Sequence, residues 1–269
     1  LANLIRPTTL DDVVGQYKLV GKNGIIRKLI ESKSQIPNMI FYGPPGIGKT
    51  TLATIIAKTI GFKYIELNSI EGVKTSANKI KMKAIFDLAE IPHSEWLNTK
   101  QVAKIKDFYA EHKIIIVKHR HSSKGEGIYF IASDEQLDDF LSEHNDVANY
   151  IFEKYYFFPH EYRVHVDVDH GCFYACRKVL LEDAKVEWHK HANNSKFVVV
   201  REDHIKPTCW NNIIGSCQKT MRYMNLNIAC FDVLCCDNDY IIVESNTAPS
   251  LAINGITFYS NHIQKYYGF

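Results

Sequence analysis

The chain lacks the features that would assign it to a membrane, a secretory route or a nucleic-acid surface. No apolar run of about 18 residues occurs, which excludes a transmembrane helix. The first residues have neither the apolar core nor the cleavage site of a signal peptide, and the start at Leu1 without a methionine indicates a trimmed or fragmentary N-terminus. With 32 basic and 30 acidic side chains, the net charge gives no reason to expect nucleic acid or a membrane as partner.

Paired metal-binding cysteines are also absent. The seven cysteines are an odd number at irregular spacings, and neither Cys172-x-x-x-Cys176 nor the adjacent Cys235-Cys236 matches a zinc-knuckle pattern. Cysteines that alternate along strands belong more often to a half-buried core than to a metal site. We therefore expect a reduced, cytoplasmic protein. The 269 residues suffice for one large domain or two small ones.

Two carboxylates and a carboxamide lie on one predicted hairpin near the end of the chain. Asp232 ends one apolar run, Glu244 ends another, and the turn-rich segment 237–239 lies between them. Glu244 and Asn246 are two residues apart, so on an extended strand they point the same way. Oxygen ligands of this kind suit Mg²⁺. The hairpin predicts a magnesium–nucleotide site with Asp232, Glu244 and Asn246 as metal ligands.

A second phosphate-binding motif lies near the start of the chain. The sequence Gly-Pro-Pro-Gly-Ile-Gly-Lys-Thr-Thr at 43–51 follows a short apolar run at 39–42 and precedes an apolar segment of helical spacing at 52–60. In such a Walker A motif the glycines let backbone N–H groups surround phosphate oxygens, the lysine reaches the β- and γ-phosphates and a hydroxyl can bind Mg²⁺. The predicted nucleotide-binding residues here are Gly43, Gly46, Gly48, Lys49, Thr50 and Thr51.

Residues 1–74 resemble the N-terminal start of AAA+ ATPases of the clamp-loader and replication-associated recombination group. The resemblance ends after the segment Phe-Lys-Tyr-Ile-Glu-Leu-Asn-Ser-Ile-Glu-Gly-Val-Lys at 62–74. Such ATPases need a further strand that ends in Asp-Glu, a sensor residue and an arginine finger. Residues 128–135 only faintly imitate the Asp-Glu strand. This favours a truncated nucleotide-binding unit without hydrolysis over an active motor.

The remaining sequence predicts alternating helices and strands after a division near residue 76. The fold class is therefore α/β (α+β). Helices are predicted at 78–90, 135–145 and 210–224, strands at 114–117, 128–131, 150–157, 162–168, 172–180 and 197–200, a basic glycine-containing loop at 119–127, and the terminal hairpin after 227.

Residues 77–252 resemble the ATP-grasp superfamily, especially its carboxylate–amine ligases. The motifs appear in the family's order: the helix that opens Asn-Lys-Ile-Lys-Met-Lys, the strand and loop Ile-Ile-Val-Lys-His-Arg-His-Ser-Ser-Lys-Gly-Glu-Gly, a hinge Phe-Glu-Lys-Tyr-Tyr, and the ending Glu-Ser-Asn-Thr-Ala-Pro. The resemblance implies a two-lobed ATP-grasp domain, with lobes at 77–152 and 153–269, preceded by a partial P-loop αβ unit at 1–76.

The resemblance also implies roles for individual residues. Adenine would contact 154–156, and Glu161 would bind ribose. Arg163 and Lys118 would be catalytic, with Arg163 stabilising the transferred phosphate; the alternative for Arg163 is a surface cross-strand ion pair with a carboxylate. The implied ATP-binding residues are Lys79, Lys118, Ser123, Lys124, Gly125, Gly127, Glu153, Lys154, Tyr155, Tyr156 and Glu161.

Two stretches depart from the family pattern. Where members carry an Arg-Asn-His-like stretch, this chain offers Arg177, His191 and Asn193, and Ser250 stands where glycine is common.

Three functions follow as hypotheses. The first is an ATP- and Mg²⁺-dependent ligase that converts a small-molecule or peptide carboxylate into an acyl phosphate, which an amine then displaces. The second is a DNA-repair or replication ATPase of the AAA+ type that works through Lys49 and Thr50. The third is a nucleotide-binding module without turnover. The exposed sheet edge of the P-loop fragment would need a partner or a homodimer to cover it.

Overall fold

The protein forms two compact units, Leu1–Glu66 and Leu67–Phe269. The structure is a computed structural model that describes residues 7–32, 41, 48–61, 67–122, 127–184, 188, 190, 194–201, 203–249, 251 and 253–268. The division falls earlier than residue 76, the boundary that the sequence predicts, so the segment 67–76 groups with the second unit.

The described part of the first unit is helical. Its helices are α1 (Tyr17–Val20), α2 (Ile25–Glu31) and α3 (Lys49–Thr59), with a 3₁₀ turn at Leu10–Asp12. The apolar run at 39–42 lies outside the described residues except for residue 41, and the segment 62–66 lies outside them entirely. A small apolar core joins these helices and consists of Leu10, Val20, Ile26, Leu52, Ile55 and Ile56.

The second unit alternates helices with two antiparallel sheets. Its helices are α4 (Ile70–Ser76), α5 (Lys79–Leu88), α6 (Val102–His112), α7 (Asp134–Glu143), α8 (Trp210–Met224) and α9 (Ile253–Tyr267). Its strands are β1 (Trp96–Leu97), β2 (Ile115–His119), β3 (Ile128–Ile131), β4 (Tyr150–Lys154), β5 (His160–Asp167), β6 (Gly171–Leu180), β7 (Ser195–Val199), β8 (Ile228–Cys235) and β9 (Tyr240–Asn246).

The first sheet has the strand order β1-β4-β2-β3 and packs against α6 and α7. Ile115 and Val117 of β2 are fully buried, as is Phe152 of the neighbouring β4. They meet Ile105 of α6 and Phe140 of α7, which are also buried, in one apolar cluster. Burial of these large side chains is the main force that stabilises the small lobe, which consists of the first sheet with α6 and α7.

The second sheet has the order β7-β6-β5-β8-β9 and packs one face against α5 and α8. Tyr162, Val164 and Val166 of β5 point into this core, where they meet Phe86 of α5 and Ile213 of α8. Because side chains alternate along a strand, the odd-numbered residues of β5 lie on the opposite face. These are Glu161, Arg163, His165 and Asp167. The core therefore determines which side chains form the polar face.

The elements agree with the strands and helices predicted after residue 77, with three exceptions. Helices α6 and α9 and the short strand β1 are not predicted from the sequence. All seven cysteines are free thiols, and five of them are buried, as a reduced core requires. None of the helices in the described part of the chain combines the length and the apolar character needed to cross a bilayer.

Candidate functional site

Four strands of the second sheet bring five charged side chains together on its polar face. The register places Glu161 of β5 opposite Lys178 of β6, and Arg163 of β5 opposite Asp232 of β8. Asp232 in turn lies opposite Glu244 of β9. Residues directly opposite each other in an antiparallel pair project from the same face, so the sheet itself builds this cluster.

Arg163 and Asp232 form the centre of the cluster. Nε and Nη2 of Arg163 each donate to one oxygen of Asp232 at 2.8 Å, a bidentate pair with little solvent exposure. Burial alone would raise the pKa of Asp232, but Lys178 and Arg163 lower it well below the ordinary value. The aspartate is therefore a carboxylate at neutral pH. Arg163 thus forms a cross-strand ion pair with a carboxylate, as the alternative for this residue predicts, but the pair is buried and does not lie at the surface.

Lys178 links this pair to Glu161. Its ammonium lies 2.5 Å from Oε1 of Glu161 and 3.1 Å from Oδ2 of Asp232. Burial lowers its pKa, but Asp232 and Glu161 raise the pKa above the ordinary lysine value, so the amine is charged. Lys190 adds a second cation, 3.6 Å from Oε2 of Glu161.

Sequence reasoning missed Lys178 and chose its neighbour Arg177. The structure places Arg177 on the opposite face, exposed and 2.8 Å from Nδ1 of His160. The available signal was strand alternation, because Lys178 lies two residues beyond the buried Cys176. His191 and Asn193 lie outside the described residues.

The β8–β9 hairpin predicted from the sequence is present and supplies oxygen donors. Glu244 faces Asp232, and Asn246 pairs with Cys230 two residues along the register. The side chain of Glu244 is 32% exposed, and its Oε2 lies 3.6 Å from the ammonium of Lys79. Two carboxylates and an amide oxygen fit Mg²⁺ chemically. Since Arg163 and Lys178 already occupy the oxygens of Asp232, Glu244 is the more accessible donor.

Lys79 connects the small lobe to this hairpin. Asn78 caps α5 by accepting hydrogen bonds from the N–H groups of Ile80 and Lys81, which fixes Lys79 in the first turn. Its ammonium donates to the carbonyl of Ser122 at 2.8 Å, in addition to facing Glu244. The lysine thus joins the loop after β2 to the candidate metal donors.

Glu153 binds two lysines at the end of β4. Lys118 lies 2.5 Å from its Oε2 and Lys83 lies 2.6 Å from its Oε1, while Ser94 donates to Oε1 at 2.5 Å. Burial raises the pKa of Glu153, but Lys118 and Lys83 lower it far below the usual range. The fully buried Lys83 and Ser94 were missed from the sequence, because a lysine in a basic helix normally indicates an exposed face.

The hinge residues after Glu153 have mostly structural contacts of their own. Lys154 forms an ion pair with Glu95 at 2.7 Å, and the hydroxyl of Tyr156 donates to the same carboxylate at 3.0 Å. The amides of Lys154 and Tyr155 donate to the carbonyls of Glu95 and Ile114. The ring of Tyr155 packs edge-to-face with the ring of Phe130 of β3. An adenine here would therefore meet the remaining backbone groups of the segment 154–156.

The glycine-containing loop after β2 is described only at its ends. Ser123, Lys124 and Gly125 lie outside the described residues. Gly127 adopts φ +64°, a left-handed conformation that favours glycine, and its carbonyl accepts from the amide of His119. The chain therefore enters β3 through a glycine in a left-handed conformation.

In the first unit, the end of the P-loop motif is described. Gly48 has φ +84° and directly precedes Lys49, the first residue of α3, and Thr50 and Thr51 follow in the first helical turn. Gly43 and Gly46 lie outside the described residues. A left-handed glycine before a helix start is the geometry that a phosphate-binding loop uses.

The N-terminal part of the chain is similar to the P-loop domains of known ATPases. Residues 5–91 match the family model of the Holliday junction DNA helicase RuvB P-loop domain. The replication-associated recombination protein A of Bacillus subtilis is 38% identical over 84 residues, 31% of this chain and 20% of that protein. A replication factor C small subunit of Methanosphaera stadtmanae is 42% identical over 83 residues, 28% of this chain and 25% of that protein. The chain spans a quarter or less of these relatives.

Solved structures similar to the chain are ATP-grasp enzymes. The D-alanyl-alanine synthetase A of Vibrio cholerae superposes with a TM-score of 0.60 at 18% identity, covering 82% of this chain and 69% of that one. The D-alanine–D-alanine ligase of Bacillus anthracis gives 0.61 at 14%, covering 89% and 78%. PsnB, an ATP-grasp ligase complexed with its minimal precursor, gives 0.57 at 16%, covering 80% and 69%. Both predicted resemblances are confirmed: the N-terminal part is similar to AAA+-type P-loop domains, and the chain has the fold of the ATP-grasp ligases.

Proposed function

We propose that the protein is an ATP- and Mg²⁺-dependent ligase that activates a carboxylate as an acyl phosphate for attack by an amine. The observation that carries this proposal is the cluster on the polar face, where Arg163 and Lys178 lie beside Asp232 and Glu244. Cations that can bind transferred phosphate and oxygens that can bind Mg²⁺ are thus held within one network.

The reaction needs no protein nucleophile. A carboxylate oxygen of the substrate attacks the γ-phosphorus, the bond to the bridging oxygen breaks, and ADP leaves. The amine nitrogen then attacks the acyl carbon, phosphate departs with the electron pair of the C–O bond, and the amine loses a proton. Bound Mg²⁺ would neutralise charge on the phosphates, held by Glu244, Asn246 and Asp232.

The role of the side chains in this scheme is to position charge. Nε and Nη2 of Arg163 pair with Asp232, which fixes the orientation of the guanidinium, and its remaining N–H groups would face the oxygens of the transferred phosphoryl group. Lys79 of α5 reaches the same region, where its ammonium lies 3.6 Å from Oε2 of Glu244. Lys118 of β2 is bound by Glu153; burial lowers its pKa, but Glu153, with smaller contributions from Glu244 and Glu161, raises the pKa above its usual value. The adenine would lie against the segment 154–156.

Conversion of ATP to ADP tests the ligase proposal directly. The full chain is assayed with a panel of acids and amines that includes both small-molecule and peptide carboxylates. Glu244→Gln should abolish turnover, whereas Glu143→Gln, an exposed glutamate at the end of α7, should leave it unchanged. Turnover that survives in Glu244→Gln would show that the site is wrongly placed.

The P-loop supports a second candidate function, nucleotide binding or hydrolysis by the first unit. Its specific support is the helix start after Gly48 together with the family match over residues 5–91. DNA-stimulated phosphate release that disappears in Lys49→Ala and persists in Glu244→Gln would favour this function. Tight ATP binding without a product in any assay would favour a module without turnover.

A further inference from the structure

A cluster of potential metal ligands lies at the far end of the polar face, away from the charged network. Asp167 ends β5, His170 lies in the turn between β5 and β6, and His262 projects from α9. One carboxylate oxygen and one ring nitrogen from each histidine lie within 4.8 Å of one another. The end of β5 with the turn that follows it and helix α9 thus converge on one point.

The three side chains of the cluster lie close together and differ in their exposure to solvent. Nε2 of His262 lies 2.8 Å from Oδ2 of Asp167, and Nδ1 of His170 lies 3.0 Å from Oδ1. Asp167 is fully buried, His262 is nearly so, and the side chain of His170 is 36% exposed. An ion could therefore enter beside His170 and leave one side of its coordination shell open to solvent.

The turn fixes the carboxylate. Oδ1 of Asp167 also accepts hydrogen bonds from the amides of Asp169 and His170, and Gly171 completes the turn at φ +77°. A glycine takes this left-handed conformation without strain. The aspartate is thus held in place independently of the two imidazoles.

Aromatic rings fix the two imidazoles in the same way. The ring of His262 stacks on Phe173 at 4.2 Å between centroids, and the ring of His170 stacks on Tyr266 at 3.7 Å. Ligands with restrained rotamers lose little entropy when a metal binds.

The cluster shares no residue with the candidate ATP site. Asp167 lies four residues beyond Arg163 along β5, a separation of about 13 Å at the usual strand rise. Between them, Nδ1 of His165 is hydrogen-bonded to the hydroxyl of Tyr259 at 2.8 Å. Any ion at Asp167 would therefore be distinct from the magnesium that accompanies ATP.

We propose that Asp167, His170 and His262 form a binding site for a divalent transition metal of the zinc class. Two imidazoles and one carboxylate are a ligand set typical of zinc, and three protein ligands leave a fourth position for water or a bound group. Without metal, the imidazole N–H groups donate to Asp167. On binding, each ring presents that nitrogen as a lone pair, with its proton moved to the other ring nitrogen or released to solvent.

The proposal is tested by metal titration of the full chain after treatment with a chelator. Zn²⁺ and Co²⁺ are titrated by calorimetry, and the visible absorption of Co²⁺ reports tetrahedral coordination. We expect one tight equivalent in the parent protein and an affinity at least about tenfold weaker in His170→Ala, since even indirect partners of metal ligands contribute that much. His170 is chosen because its partial exposure makes the variant least disruptive to folding.

Two control variants locate the bound ion. His204→Ala removes an exposed histidine outside the cluster, and Glu244→Gln alters the candidate magnesium site; both should retain the tight equivalent. If no equivalent binds, or if His170→Ala binds as tightly as the parent, the three residues are only a hydrogen-bonded anchor for α9 and the proposal is wrong. Loss of binding in Glu244→Gln alone would assign the ion to the ATP site. Neither result depends on whether the ligase assay succeeds.

Discussion

Lys83 and Glu153 form an ion pair of 2.6 Å in which neither side chain is more than 3% exposed. Lys118 binds the second oxygen of the same carboxylate, and Ser94 bridges Lys83 and Glu153 by hydrogen bonds. One buried anion thus compensates two cations. Removing one partner of such a buried pair is costly because the remaining charge keeps its desolvation penalty.

Glu153→Gln should therefore lower the free energy of unfolding by about 3–5 kcal/mol, because it leaves Lys83 and Lys118 without their anion. Chemical denaturation followed by circular dichroism measures this. The matched control is Glu95→Gln, which breaks the ion pair between Glu95 and Lys154. The carboxylate of Glu95 is about half exposed. The control should have little effect, as exposed pairs usually do. Equal losses in the two variants would contradict a buried, compensated Glu153.

The pH dependence of this stabilisation follows from the direction in which the pKa of Glu153 is shifted. Burial raises the pKa of Glu153 and the two lysines lower it more, so the folded-state pKa lies far below the ordinary value of 4.5. A depressed pKa contributes stability that is present above the ordinary value and is lost as the pH falls below it. The stability gap between the parent and Glu153→Gln should be constant near neutral pH and shrink below about pH 4.5. A gap that widens on acidification would contradict this assignment.

Arg163→Lys should reduce ATP turnover by roughly 100-fold, the loss expected when a directed charge contact to a transition state is removed. Lysine keeps the charge but cannot form the two parallel hydrogen bonds to Asp232. The loss should appear in kcat more than in KM for ATP, because the contact that we propose for Arg163 is to the transferred phosphoryl group.

Arg177→Lys is the matched control for this variant. It makes the same substitution on the other face of the sheet, where Arg177 contacts His160, and should retain full turnover. Similar losses in both variants would indicate a general effect on the sheet and not a role in the reaction.

The sequence predicted the parts of the site that follow from local pattern. Strand alternation and turn residues were enough to place Asp232, Glu244 and Asn246 on one hairpin. Lys178 and Lys83 were missed because their significance depends on pairing with distant residues. Neither the register between strands nor the burial of a lysine in a basic helix can be read from neighbouring residues.

Replacement of glycine by alanine should have opposite effects on stability at Gly72 and at Gly215. A Cβ at Gly72 in α4 would overlap the backbone carbonyl oxygen of Met224, which cannot move independently, whereas a Cβ at Gly215 in α8 would meet open space. Gly72→Ala should therefore destabilise the protein by about 1–3 kcal/mol, as overpacking does. Gly215→Ala should stabilise it by about 0.5–1 kcal/mol through helix propensity. Thermal unfolding of both variants compares them, and a stabilising Gly72→Ala would mean that α4 does not approach α8 this closely.

Cys235 and Cys236 should differ sharply in reactivity although they are adjacent. Burial, with smaller contributions from Cys209 and Cys236, raises the pKa of the Cys235 thiol to about 12, and its side chain is inaccessible. At pH 8 roughly one in ten thousand such thiols is ionised, and the thiolate is the reactive form. Cys236 follows the end of β8 and is partly exposed.

Iodoacetamide should therefore alkylate Cys236 before Cys235 in the native protein. Fragment-ion mass spectrometry of the peptide that contains both cysteines can show this. Cys236→Ser should remove this signal without exposing Cys235, and both thiols should react at similar rates after denaturation. Equal rates in the native state would show that the end of β8 is open to solvent.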